Sequence, residues 1–371
     1  MRHSKYSICQ IAEIAEVIAG QSPESEHYNE KEKGLPFYQG KSDFGEIYLQ
    51  DPVKWTTKIT KEAIKNDILI SVRAPVGPVN ISPFQIICIG RGLAAIRTSK
   101  DANYKYLFYI LKHSQERTKQ YATGSTFEAI NKKDIENILI PLPPLDIQLQ
   151  IVDELDGYQQ IINGAKMIIE NYKPFIKLDS EWEMVKVEDV VDFLSGVTLS
   201  VKECENNNGL PIITIADITE DGYINYGNIR KIKTNKNAIR LKQGDLLFNW
   251  RNGSKHLVGK TALFERNDEF IFASFLLGLR PKNKIDSYFL WAILNQYRIK
   301  GLYFNNMRQQ VNGLFNREEL KDVKIPLPPI EIQKEIVAKI KEEEMLVAAN
   351  KKIVEIFEKK ITDRINQIWG C

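Results

Sequence analysis

Residues Ile140 to Pro144 read IPLPP, and the same five letters return at Ile325 to Pro329. Behind both copies the match continues, since Leu145, Ile147, Gln148, Ile151 and Val152 meet Ile330, Ile332, Gln333, Ile336 and Val337, each 185 residues further on. A repeat of that length in a chain of 371 residues means two tandem units that end in the same device. The prolines Pro143 and Pro144, like Pro328 and Pro329, bias the residue before them away from helix, and a helical period starts at once behind them. Each unit therefore ends in a helix.

In the first of these helices Ile151, Leu155, Tyr158, Ile162, Ala165, Ile169 and Tyr172 are spaced 4, 3, 4, 3, 4, 3, a heptad seam that calls for a partner helix. The second copy keeps the register as Ile336, Ile340, Glu343, Val347, Asn350, Val354 and Phe357. Two of these are polar. Either Asn350 pins the register against the small pair Gly164 and Ala165, or Glu343 and Asn350 lie where the helices splay apart. A whole domain separates the helices, so they are expected to pair with each other inside the chain, antiparallel, as a rod of roughly 45 Å for about 30 residues. Homodimerisation is the alternative reading of the same heptads. The fold class expected is α+β: β-rich domains over 1–144 and 179–329, with spacer helices over 145–178 and 330–371.

Apolar residues make up 43% and charged residues 27%, ordinary values for a globular chain. Glu13 and Glu16 interrupt any apolar run that could act as a signal peptide, and no run approaches the roughly 18 residues of a membrane helix. Cys9, Cys88, Cys204 and Cys371 lie far apart, with neither metal spacing nor a disulfide framework. These features lead us to expect a cytoplasmic, reduced protein with no membrane partner.

The net charge of +3 is small, but the basic residues are clustered. Nine of them against one acid fall between Asn228 and Lys260, and nine against three between Arg91 and Lys133. Such clusters fit a polyanion footprint, although a charge run is also commonly a solvated surface. NDILISVRAPVG (66–77) and GDLLFNWRNGS (244–254) align as a strand leading into an arginine, Arg73 or Arg251. An exposed guanidinium there suits bidentate contact with phosphate or guanine, with a structural salt bridge as the alternative. Both domains close on a polar, Gly-containing loop ahead of the prolines, YATGSTFEAINKKDI (121–135) and MRQQVNGLFNREEL (307–320). The candidate contacts in the first domain are Lys41, Arg73, Arg91, Arg117, Lys119, Thr123, Ser125 and Thr126. In the second they are Asn249, Arg251, Asn252, Lys255, His256, Lys260, Arg308, Gln309, Gln310 and Asn312.

Catalytic chemistry is not legible. GSKHLVGKT (253–261) fails as a phosphate loop, because five residues rather than four separate Gly253 from Gly259. The histidines His3, His27, His113 and His256 are isolated, without zinc spacing. The prolines of the repeat follow leucine, where an adenine methyltransferase would place an acidic or asparagine residue, with an aromatic beyond, to hold a flipped base. The chain reads as a reader of DNA, with no metal and no cofactor of its own.

With its duplicated IPLPP followed by Ile-Gln-x-x-Ile-Val, and with GSTFEAINKKDIENILIPLPP (124–144) and NDILISVRAPVG, the chain closely resembles the specificity subunit of type I restriction-modification enzymes. The resemblance covers nearly the whole length. It implies two target-recognition domains, each binding one half of a bipartite, asymmetric target in double-stranded DNA, and two conserved helices that set the gap. It further implies two methyltransferase subunits docked on the helices, which would supply S-adenosylmethionine and methylate an adenine in each half. Two restriction-translocase subunits would add cleavage. The chain after Ile361 is short, and its last turn is expected to fray. Two other classes remain open from the residues alone: a coiled-coil adaptor without DNA specificity, and a stand-alone DNA-modifying enzyme.

Overall fold

The computed structural model describes residues 5–114, 129–198, 209–233, 238–251, 257–304, 315 and 317–370. The chain divides into two compact units, Met1–Glu170 with Asn350–Cys371, and Asn171–Ala349. The helical segments expected as separate parts over 145–178 and 330–371 are thus shared out between the units.

In the first unit β1 (Ala15–Ala19), β2 (Ile68–Ser71), β3 (Val79–Ile81) and β4 (Leu93–Thr98) form an antiparallel sheet in the order β1-β4-β2-β3. Its central strands are apolar on both faces, as strands covered on both sides must be. Ile68, Ile70, Ala94 and Ile96 join one core cluster, while Leu69, Leu93 and Ala95 join another. The second cluster lies against a sheet that contains Leu35–Tyr38, Glu62–Ile64 and Ile86–Ile89. Onto the first pack α1 (Tyr104–His113) and the long helix α2 (Leu145–Asn171). The aromatic residues of α1 are core: Tyr106, Phe108 and Tyr109 are buried.

The second unit repeats the plan. There β5 (Val191–Ser195), β6 (Leu246–Asn249), β7 (Thr261–Leu263) and β8 (Leu276–Pro281) take the order β5-β8-β6-β7, with α3 (Ser287–Ile299) and the part up to Ala349 of the 40-residue α4 (Ile330–Trp369) following. The aligned glycines Gly20 and Gly196 share one reason for being glycine. A Cβ would sit 2.3 Å from the Gly90 carbonyl oxygen at the first and 2.5 Å from that of Ala273 at the second.

The apolar runs 86–99 and 270–282 are each two strands that change sheet at a turn. They divide into Ile86–Ile89 and β4, and into Ile271–Phe272 and β8.

The structure also explains the repeat itself. Gln148 is wholly buried; its Oε1 accepts from Asn103 N at 2.8 Å, and its Nε2 donates to Pro143 O at 2.9 Å and Asp101 O at 3.2 Å. Gln333 does the same, accepting from Asp286 N at 2.8 Å and donating to Pro328 O at 2.8 Å and Lys284 O at 3.1 Å. Asn103 and Asp286 are the N-caps of α1 and α3. One buried amide therefore ties the start of each long helix to the cap of the helix before it, satisfying polar groups that burial would otherwise penalise.

The helix pair is antiparallel within the first unit. Arg364 Nε donates to Glu154 Oε2 at 2.8 Å, and further along α2 the Tyr158 ring meets Phe357 edge-on at 5.4 Å. Ile151, Leu155, Ile162 and Ala165 are buried as the seam requires, and Tyr158, Val354 and Phe357 pack half-buried on the same core. In the second unit Ile340 is buried, Ile336 packs on that unit's core, and the Tyr172 hydroxyl donates to Ile340 O at 3.4 Å. Ile169, Val347 and Asn350 are half-buried.

Glu343 is exposed, as in the splayed reading. At Gly164 a Cβ would meet nothing within 4 Å, so Asn350 does not pack on that position, while the neighbouring Ala165 is buried. The frayed end is corrected: Ile361, Ile365 and Ile368 are each at most 2% exposed and Trp369 packs beside them, continuing the apolar stripe beyond Phe357.

Candidate nucleic-acid interface

In the first unit Arg73 follows β2 and Arg91 precedes β4, and the antiparallel pairing of these strands sets the two arginines side by side, with Val72 N donating to Gly92 O at 3.0 Å. The strand Leu35–Tyr38 runs parallel to Ile86–Ile89, which brings Gln39, Gly40 and Lys41 to the same edge, where Gly90 N donates to Tyr38 O at 2.8 Å. Gln39, Lys41, Ser71, Arg73, Arg91 and Gly92 then line a cleft of about 270 Å³. Gly92 is required there, since a Cβ would lie 2.3 Å from Gln39 O. Ser22 Oγ braces the rim, accepting from Arg91 N at 3.1 Å and Gln39 Nε2 at 3.2 Å. Lys41, Arg73 and Arg91 are exposed, and none is ion-paired among the described residues. Three free cations with an amide suit an anion or the acceptor edge of a base.

The described end of the closing loop is tethered beside Arg73. Ala129 pairs with Arg73, and Ile130 N donates to Val72 O at 3.1 Å. Arg117, Lys119, Thr123, Ser125 and Thr126 lie outside the described residues. The second unit repeats the tether, with Phe315 N donating to Trp250 O at 3.0 Å beside exposed Arg251. Asn252, Lys255, His256, Arg308, Gln309, Gln310 and Asn312 lie outside the described residues.

At the place of Arg91 and Gly92, directly before the matching strand, the second unit has Ser274 and Phe275. The Arg251 guanidinium lies 5.6 Å from the Phe275 ring, which is 47% exposed. Sequence reading missed Phe275. The signal was available in the alignment of the turns before β4 and β8. The two units thus offer different surfaces on one scaffold, cationic in the first and aromatic with a guanidinium in the second.

Two expected contacts are corrected. Asn249 is wholly buried at the end of β6, where its Nδ2 donates to Leu257 O at 3.1 Å. Lys260 is 6% exposed, donates from Nζ to Ile218 O at 2.6 Å, and has its ammonium pKa lowered by burial. Both side chains are buried. Several arginines and lysines are held by carboxylates of the fold. Arg97 holds Asp67 through two bonds of 3.0 and 2.8 Å, and Arg280 holds Asp245 through two of 2.8 and 2.7 Å, at matched strand ends. Lys105 pairs with Asp156. Among the described residues Glu24, Glu26 and His27 could share a cation, but they are at the surface and Lys58 already pairs with Glu24. No helix of the described residues is long and apolar enough to cross a membrane.

The family model of the type I restriction modification DNA specificity domain matches the chain twice, over residues 3–171 and 179–358. The chain belongs to this family. Curated relatives agree in kind. It is 48% identical over 147 residues to the putative type I restriction enzyme MjaX specificity subunit of Methanocaldococcus jannaschii, a match covering 39% of this chain and 34% of that protein. The MjaVIII specificity subunit of the same organism is 28% identical over 300 residues, 68% of this chain and 66% of the relative. The EcoKI specificity subunit of Escherichia coli is 23% identical over 327 residues, 78% and 69% of the two chains. The matches thus span about a third and about two thirds of the first two relatives.

Among solved structures, the type I restriction-modification S subunit from M. genitalium has a TM-score of 0.54 at 16% identity, covering 100% of this chain and 97% of that one. A chain from a study of complex assembly in the type I system has a TM-score of 0.63 at 19% identity, covering 98% and 97%. These likenesses support the fold of two tandem domains joined by helices.

Proposed function

We propose that this chain is the non-catalytic DNA reader of a type I restriction-modification complex, its two units each reading one half of a bipartite, asymmetric target. The observation that carries the proposal is the duplicated placement of Arg73 and Arg251 at matched strand ends, each beside the tethered end of its closing loop. The basic cleft of one unit and the Arg251–Phe275 surface of the other favour different half-sites. In this reading the long helices set the gap and receive two methyltransferase subunits, on which S-adenosylmethionine is bound, and two restriction-translocase subunits complete the assembly. The site of action is the cytoplasm.

Mapping of methylated adenine in a host without other adenine methylation tests the proposal. With the cognate methyltransferase subunit present, a gapped bipartite motif is expected that disappears when this chain is omitted. Methylation that persists unchanged without the chain would overturn the proposal.

A further inference from the structure

One polar group of the first unit joins its cleft to the helices behind it. The turn after Leu35–Tyr38 carries Lys41 at its start and is closed by the Phe44–Leu49 pairing. It is stiffened internally, with Gln39 N donating to Asp43 Oδ2 at 3.2 Å, Gln50 N to Asp43 O at 3.1 Å, and Asn80 Nδ2 to Gly45 O at 3.0 Å. At its far end is Glu46. Its Oε1 accepts from Gln159 Nε2 at 3.1 Å and Lys166 Nζ at 3.1 Å, both on α2. Gln159 Nε2 also donates to Asn163 Oδ1 at 2.8 Å, which fixes its amide. The Glu46 main-chain oxygen accepts from Lys112 Nζ of α1 at 2.9 Å, and Lys166 also reaches Glu358 of α4 at 3.4 Å. Two helices thus converge on one carboxylate and its peptide, and α4 joins them only through Lys166.

A partly exposed ion-pair network adds little to folding stability by itself. Its geometric effect is larger, because several directed bonds fix the tip of a short turn whose other end carries the cleft's lysine. The second unit makes the same connection with other chemistry. Its turn, closed by the Ile218–Ile224 pairing, sets the Tyr223 hydroxyl on Glu344 Oε1 at 2.5 Å, and Glu344 lies 185 residues after Gln159. The helix position touched by the turn is the same in both units. Only the donor and acceptor are exchanged.

We infer that Glu46 is a positioning residue for DNA reading by the first unit, holding the Lys41 turn against α1 and α2 so that Lys41 stays in the cleft with Arg73 and Arg91. This inference rests on the reading of the cleft as a DNA contact. The test uses the full chain assembled with its methyltransferase subunits on a cognate duplex. Glu46→Ala is expected to weaken binding by about tenfold, with Glu46→Gln intermediate and the thermal midpoint little changed. The loss should relax base preference in one half-site only. Adding Glu46→Ala to Lys41→Ala should cost much less than the product of the single effects, because the turn then has no lysine to place.

If Lys41→Ala weakens binding while Glu46→Ala leaves affinity and half-site preference at the parental level, the positioning role is overturned and the cleft reading stands. Equal loss at both half-sites with a lowered midpoint also overturns it, in favour of a purely structural bond. If neither Lys41→Ala nor Glu46→Ala changes binding, the cleft reading fails and the inference with it.

Discussion

Lys41 and Lys260 are both lysines beside turns in basic stretches, yet they occupy opposite environments. Lys41 is exposed on the cleft and carries no ion pair among the described residues, whereas Lys260 is buried with its ammonium on the Ile218 carbonyl. A cation that displaces counterions from DNA must be free to approach phosphate. Lys41→Ala is therefore expected to lower the slope of log affinity against log salt by about one unit. Lys260→Met should leave that slope unchanged and lower stability instead, by about 1–3 kcal/mol, through the unsatisfied Ile218 carbonyl. Binding isotherms over a salt series, with a denaturation curve for each variant, separate the two; an equal change in slope for both would contradict the assignment.

The difference between these lysines was not legible in GSKHLVGKT, because the Ile218 carbonyl comes from a turn some forty residues earlier and only the fold brings it near. Arg97 and Arg280 were legible in part. Asp67 and Asp245 align in the repeat, but their partners stand on a strand whose antiparallel register local sequence does not give.

At the level of elements, periodicity carried most of what could be read. The seam from Ile151 to Ile162 follows a 3.5-residue repeat, and the structure buries Ile151, Leu155 and Ile162. The tail after Ile361 read as loose because it is short. Its order depends on distant core residues such as Ile151 and Leu155. The strand pairs Ile86–Ile89 with β4, and Ile271–Phe272 with β8, are not separable by periodicity, because an apolar stretch does not announce a change of sheet.

The matched glutamines were visible as letters, while their function required the N-caps of α1 and α3. Gln148→Ala removes three hydrogen bonds from a buried site and leaves the Asn103 amide without its acceptor. A loss of about 3 kcal/mol in unfolding free energy is expected, with Gln333→Ala comparable in the other unit. Chemical denaturation measures both, and a loss below about 0.5 kcal/mol, the range of ordinary surface substitutions, would contradict the role given to the amide.

For the whole molecule, duplication supplies two like scaffolds on one chain and sequence divergence gives them unlike surfaces. The scaffold repeats in sheet order, helix caps and loop tether, while the contact surface differs between Arg91 with Gly92 and Ser274 with Phe275. If the helices set the gap, removing one heptad from the paired rod should shorten the unspecified spacer by about 10 Å, or about three base pairs, without altering either half-site. Methylated-motif mapping of such a variant reads the spacer directly, and an unchanged gap would remove the helices from that role.

The central claim is that the two units read separately. It is tested most directly by adenine-methylation maps of Arg73→Ala and Arg251→Ala, each expressed with the methyltransferase subunit. Arg73→Ala is predicted to relax one half-site, Arg251→Ala the other, and both to keep the parental gap. If the two variants relaxed the same half-site, or if neither changed the motif, two independent readers on a repeated scaffold would be contradicted.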